Sequence, residues 1–132
     1  MTSHSQALDE MYQENILDHY QHPHNNGPLS KYTLRHREHN PSCGDDVEIF
    51  LATDGYGIVT GASFVGRGCA VSIAAVSMLT DFIKGKNIEE VRRLGQEDIM
   101  KLLGISVGPS RLKCALLGLK TLEKGIALQK QL

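Results

Sequence analysis

The spacing of apolar residues along the chain changes period twice. From Gln6 to Tyr20 the residues Leu8, Met11, Tyr12, Ile16 and Tyr20 recur at helical spacing, which predicts a first helix. "HPHNNG" ends it, because Pro23 disfavours a helical residue before it and Gly27 permits a turn. Tyr32 to His39 carries a fainter strand pattern. Val47, Ile49 and Leu51 then alternate with Glu48 and Phe50, and Ile58, Thr60, Ala62 and Phe64 repeat the alternation, as half-buried strands do. Between them lies "TDGYG", whose Asp54-Gly55 pair predicts a hairpin turn. After Gly66 and Gly68 the helical period returns. Val71, Ala74, Ala75, Met78, Leu79 and Phe82 form one apolar stripe that ends near "KGKN". A further helical stretch runs from Asn87 to Leu103. The last helix starts at Pro109, a favoured first position, and buries Leu112, Ala115, Leu116, Leu119 and Ile126.

The hairpin has a chemical consequence. With its tip near residue 55, the positions just before 47 and just after 64 meet at the open end of the ribbon. "NPSCGDD" places Cys43 and Asp45 before one strand, and "VGRGCAVS" places Cys69 after the other. Three potential ligands thus converge on one edge of the sheet. The third cysteine, Cys114 in "SRLKCALL", lies about one turn into the last helix. Both Cys69 and Cys114 sit near helix N-termini, where the partial positive charge favours the thiolate that binds metals and attacks sulfur. A single cysteine is readily explained as a small buried hydrophobe. Cys43 resists that explanation, since a polar turn between Pro41 and Gly44 is a poor place to hide a thiol. Asp45 alone would be a turn residue. Beside Cys43 it becomes a fourth, oxygen ligand, with Asp46 as the competing carboxylate. Strand alternation sends the two in opposite directions, so only one shares the side of Cys43.

Composition narrows the possibilities. At 132 residues the chain is expected to form one domain, residues 1–132, with a core that needs no staples. A hydrophobic share of 41% is ordinary for a globular protein, and no apolar run approaches the roughly 20 residues of a membrane span. The start, "MTSHSQALDE", lacks the features of a signal peptide, so a cytoplasmic location is expected. A net charge near −1 gives no basic footprint for nucleic acid. Three cysteines cannot all pair with one another. Reduced thiols with a metal or catalytic role are the better reading.

Three thiolates and a carboxylate make a tetrahedral set suited to zinc or to the iron of an iron–sulfur cluster. Structural zinc sites usually pair their cysteines with about two to four residues between, and these cysteines are far more widely spaced. A carboxylate is also a weaker partner for a soft ion than a fourth thiolate. Such a mixture suits a metal held loosely enough to be exchanged. The six histidines all fall between positions 4 and 39. Pairing a cysteine with His36 or His39 for proteolysis finds no supporting signature. Gly66 and Gly68 resemble half a phosphate loop, yet no "GK[ST]" follows.

Three segments, in order, resemble the motifs of one family, the U-type iron–sulfur cluster assembly proteins (IscU, SufU and the N-terminal part of NifU). "NPSCGD" resembles the first ligand motif, "FVGRGCAVSIAAVSMLTD" the second and "RLKCALLGL" the third, while "HPHNNG" is similar to the linker after the first helix. The resemblance covers nearly the whole chain. It implies an α+β fold, a three-stranded antiparallel sheet packed against helices, of the SufE/NifU-like kind. It implies Cys43, Asp45, Cys69 and Cys114 as ligands of zinc or of a transient 2Fe–2S cluster. A pyridoxal-phosphate cysteine desulfurase would supply sulfur, and a downstream iron–sulfur carrier or apo-protein would receive the cluster. The role is that of a scaffold and sulfur acceptor rather than an enzyme, and a zinc-dependent sulfurtransferase is the alternative.

Subtype features are mixed. Isc-type members carry a histidine just before the third cysteine, where this chain has Lys113, and an "LPPVK" segment where it has "SVGPSRLK". The "RxKC" pattern of Arg111 to Cys114 is similar to Suf-type proteins. Those usually carry an insertion between the second and third cysteines for which this chain has no room. By analogy the persulfide acceptor is Cys43 in the Suf type and Cys114 in the Isc type. Lys113 would favour a thiolate at Cys114 but cannot ligate while protonated. Arg111 is expected to orient Asp45, or a partner's carboxylate, by a forked contact.

Overall fold

A computed structural model describes residues 4–41 and 44–129, with side chains from residue 13 onward. Its elements are α1 (His4–Gln21), β1 (Leu34–Asn40), β2 (Asp45–Thr53), β3 (Val59–Arg67), α2 (Ala70–Ile83), α3 (Ile88–Arg92), α4 (Gln96–Leu103) and α5 (Pro109–Leu128). The strands form an antiparallel sheet in the order β1-β2-β3. Its inner rows are set by the period of two. Val47 lies between Glu38 and Gly66, Ile49 between His36 and Phe64, and Leu51 between Leu34 and Ala62. Val47, Ile49, Leu51 and Phe64 are fully buried beneath α2 and α5. No helix among the described residues is long and apolar enough to cross a membrane.

Five expectations shift in detail. Thr60 is exposed and Val59 is buried, because the register slips between Ala52 and Thr53 and reverses the alternation there. The turn is also wider than an Asp-Gly pair. Asp54 accepts the Tyr56 and Ile58 amides through Oδ1 at 2.8 and 3.0 Å, and the left-handed residue is Gly57, at φ 78°. The stretch from Asn87 to Leu103 is two helices. Gly95 breaks it in an extended conformation and donates its amide to Asp98 Oδ2 at 2.8 Å, which starts α4. Helix α2 has no single apolar stripe, for every residue from Val71 to Thr80 is buried. It is the central helix, covered by α1, α4, α5 and the sheet. In α5, Ala115, Leu119 and Ile126 are buried as expected, Leu112 and Leu116 are half-buried, and Leu117 and Leu122 join the core.

The polar residues inside α2 are satisfied, and the linker after α1 supplies two of the partners. Asn25 takes the left-handed conformation at φ 58°, and its carbonyl accepts the Phe64 amide at 2.9 Å. Gly27 donates back to Phe64 at 2.8 Å, so the linker lies along the free edge of β3. Ser77, wholly buried, accepts the His24 amide at 2.8 Å and lies 2.7 Å from His19 Nδ1. Its hydroxyl proton needs an acceptor, which makes Nδ1 that acceptor and His19 neutral. "HPHNNG" is therefore a clasp joining α1, α2 and β3.

That clasp carries a pH dependence. Burial, followed by the neighbouring His24, holds the His19 imidazole below its ordinary range, against smaller opposing effects of Asp81 and Asp18. The unfolded chain takes the proton first. This contribution to stability is whole above about pH 6.5 and fades as pH falls from there toward the folded value. Thermal midpoints of the metal-free protein at about pH 7.5 and about pH 5.5 should differ more for the native chain than for His19→Gln, which can still accept from Ser77. Equal differences would place the acid sensitivity elsewhere.

Candidate metal centre

Asp45 is the first residue of β2 and lies opposite Asn40 of β1, in the row that continues inward to Val47 and Ile49. Only 3% of it is exposed. Its Oδ1 accepts the backbone N–H of Cys69 at 3.3 Å, and its Oδ2 is buried with no hydrogen-bond partner among the described residues. A turn residue would reach water. An uncompensated buried carboxylate oxygen costs more than the roughly 1–3 kcal/mol of a neutral group, so it is held here for something that binds it.

Cys69 is the N-cap of α2, in extended conformation at φ −73° and ψ 169°, and its side chain caps nothing. Its carbonyl instead anchors the first turn, accepting Ser72 Oγ at 3.0 Å and the Ile73 amide at 3.1 Å. The thiol is left free to face the sheet end. Cys114 comes from α5, which crosses behind β1 and β2, and is 6% exposed. A sulfur of Cys69, a sulfur of Cys114 and a carboxylate oxygen of Asp45 lie within 4.8 Å of one another. Two soft donors and one bare hard donor, mostly shielded from water, fit a zinc or iron ion.

Cys43 lies outside the described residues. Asp46 is resolved by alternation as foreseen. It points to the outer face, where the Arg37 guanidinium binds both of its oxygens, Nε to Oδ1 at 2.7 Å, and that hydrogen bond holds the Asp46 carboxyl below the usual carboxylate range. Arg111 does not orient Asp45. It is exposed on α5, and the hydrogen bond to Asp45 comes from the Cys69 backbone. Lys113 is exposed as well and lines a groove with His39, Asn40, Pro41, Leu116, Leu117 and Lys120. Neither His36, whose Nε2 lies 3.4 Å from Glu38, nor exposed His39 joins the donor cluster. Sequence reasoning missed how the chain before Cys69 seats the Asp45 carboxylate. The two glycines of "GRG" were its only trace.

Comparison with known proteins identifies the family. Residues 11–131 match the model of the NifU-like N-terminal domain. The chain is 39% identical to the zinc-dependent sulfurtransferase SufU of Bacillus subtilis, over 93% of this chain and 94% of that protein. It is 33% identical to the iron–sulfur cluster assembly scaffold protein IscU of Rickettsia prowazekii, over 91% and 92% of the two chains. A solved structure described as a putative iron–sulfur cluster assembly scaffold for the SUF system, from Fervidobacterium islandicum, superposes with a TM-score of 0.73 at 26% identity, covering 89% of this chain and 97% of the other. The fold alone is shared with a NifU-like N-terminal protein from Brucella abortus, TM-score 0.74 at 20% identity, over 94% and 97% of the two chains. With a family model over most of the chain and relatives above 30% identical over nearly their whole length, the chain belongs to the NifU-like N-terminal domain family.

Proposed function

We propose that this protein takes sulfur from the persulfide of a cysteine desulfurase and serves as the scaffold on which a 2Fe–2S cluster is assembled and passed to a carrier or apo-protein. The observation that carries this reading is the buried Asp45 carboxylate, one oxygen of which is bare, set within 4.8 Å of the Cys69 and Cys114 sulfurs. A purely structural centre would be closed by strong donors. An oxygen donor among thiolates gives a site that can release what it holds. Cys43, two residues before Asp45 in the sequence, completes the set with Asp45, Cys69 and Cys114. A resident ion would keep these thiols deprotonated and protect them from oxidation.

Sulfur transfer itself is a substitution at sulfur. A thiolate of this chain attacks the outer sulfur of the desulfurase persulfide. The new S–S bond forms as the old one breaks, and the electron pair leaves on the desulfurase cysteine. No net oxidation occurs.

A second reading, a zinc-dependent sulfurtransferase that relays sulfur without building a cluster, is favoured by the 39% identity to the Bacillus protein. Against it, that alignment runs over 140 residues although this chain has 132, so the relative carries inserted residues that this chain lacks. Anaerobic incubation with ferrous iron, cysteine, a desulfurase and a dithiol reductant, which turns persulfide sulfur into sulfide, separates the two. The scaffold reading expects the visible absorbance of a 2Fe–2S cluster, about one per chain or per pair of chains. Sulfur uptake without such absorbance would establish the relay instead.

A further inference from the structure

We infer that Gly68 is a positioning residue for the metal centre, an inference that rests on the metal-binding reading above. By having no side chain, it fixes which oxygen of Asp45 faces the thiols. Gly68 lies between the end of β3 and the N-cap of α2, and its backbone is not in the left-handed region, so conformation alone would admit an alanine. Space would not. A Cβ built there falls 2.7 Å from Asp45 Oδ1, 2.8 Å from Asp45 Cγ and 2.4 Å from Ser72 Oγ. Neither neighbour can swing out to solvent, since Asp45 is 3% exposed and Ser72, whose hydroxyl holds the Cys69 carbonyl, is also buried.

The carboxylate is therefore gripped from two sides. The Cys69 amide takes Oδ1 by a hydrogen bond, and the Gly68 α-carbon closes the space beside the same oxygen. Oδ2 is the oxygen left over, and it is the one without a partner. Gly66, two residues earlier, works differently. A Cβ there meets the Asp46 carbonyl at 2.5 Å and the Val47 backbone at 3.2 Å, so its absence serves strand pairing. At Gly68, by contrast, the obstacles are Ser72 Oγ and the Asp45 carboxylate itself.

An alanine at Gly68 must turn the Asp45 carboxylate away or push the β3–α2 turn outward, and either movement separates Oδ2 from the sulfurs. The test is zinc affinity of the full chain, measured by competition with a chromophoric chelator, for the native protein, Gly68→Ala, Asp45→Ala and the double variant. Gly68→Ala is expected to weaken zinc about tenfold, the lower end of effects for residues that orient a ligand. In the Asp45→Ala background the same change is expected to cost less than about twofold, because the group it acts through is gone. An equal loss in both backgrounds would make Gly68 a structural residue and overturn the inference, as would unchanged affinity in Gly68→Ala. Should Gly68→Ala fail to fold, as judged by thermal unfolding of the metal-free protein, Gly68→Ala with Ser72→Ala removes the tighter contact and is put through the same comparison. A native protein that binds zinc no better than Cys69→Ser would sink the metal reading itself, a result visible before any glycine variant is made.

Discussion

Cys69→Ser and Cys114→Ser proteins, purified without added metal, are expected to carry well under one equivalent of zinc or iron, against about one in the native chain. The argument is one of donor number and kind. Two of the three described donors within 4.8 Å are sulfur, and the third is a single carboxylate oxygen. Serine replaces a soft, readily ionised donor with a hard hydroxyl that stays protonated, so the variant offers one thiolate fewer and no compensating charge. In Cys114→Ser the new hydroxyl is buried on α5, which adds a desolvation cost but should leave the fold intact, since the core around it is carried by Ala115, Leu117, Leu119 and Leu122. Metal analysis beside a thermal melt separates the two effects. Full occupancy in Cys114→Ser would remove that residue from the centre. Cys43→Ser belongs in the same series, and there the expectation comes from sequence and family likeness alone.

The convergence of the site was legible because two simple periods define it. Alternation in β2 and β3 with a turn between them puts Asp46 opposite Arg67, and Cys69 follows two residues later. The same alternation separates Asp45 from Asp46, one bare and inward, the other bound to Arg37 on the outer face. What escaped the sequence was set by tertiary partners. Ser72, Ser77 and Thr80 look like a polar face on α2. They are buried because their hydroxyls bond the Cys69 carbonyl, the linker and His19, and the helix's own carbonyls. His19 and Ser77 are 58 residues apart, beyond any local pattern. Among the described residues the contact to Asp45 is made by the Cys69 amide, not by the Arg111 fork, which leaves a partner's carboxylate as the other target expected for Arg111. The phase reversal at Thr60 needed one slipped register position, which composition does not mark.

Incubation of the protein with a desulfurase and cysteine should place one added sulfur on this chain, and Cys43→Ser should lower that adduct at least about tenfold while Cys114→Ser leaves most of it. The burial of Cys114 counts against it as the acceptor. Attack on a partner's persulfide requires the thiolate to reach the incoming sulfur along the S–S axis, and Cys114 is only 6% exposed, beneath the start of α5. Cys69 is half-buried, and its backbone is tied to Asp45 and to the first turn of α2, so moving it toward a partner would disturb both. Cys43 stands in the polar sequence "NPSCGDD", with no apolar residue beside it along the chain. Peptide mass mapping after rapid alkylation reads the position of the extra sulfur directly. An adduct that survives in Cys43→Ser and vanishes in Cys114→Ser would reverse the assignment. It would also require the first turns of α5 to open away from the sheet, which hydrogen exchange at residues 109–114 would report as a loss of protection when the desulfurase binds. No adduct on any of the three cysteines would refute the acceptor role altogether.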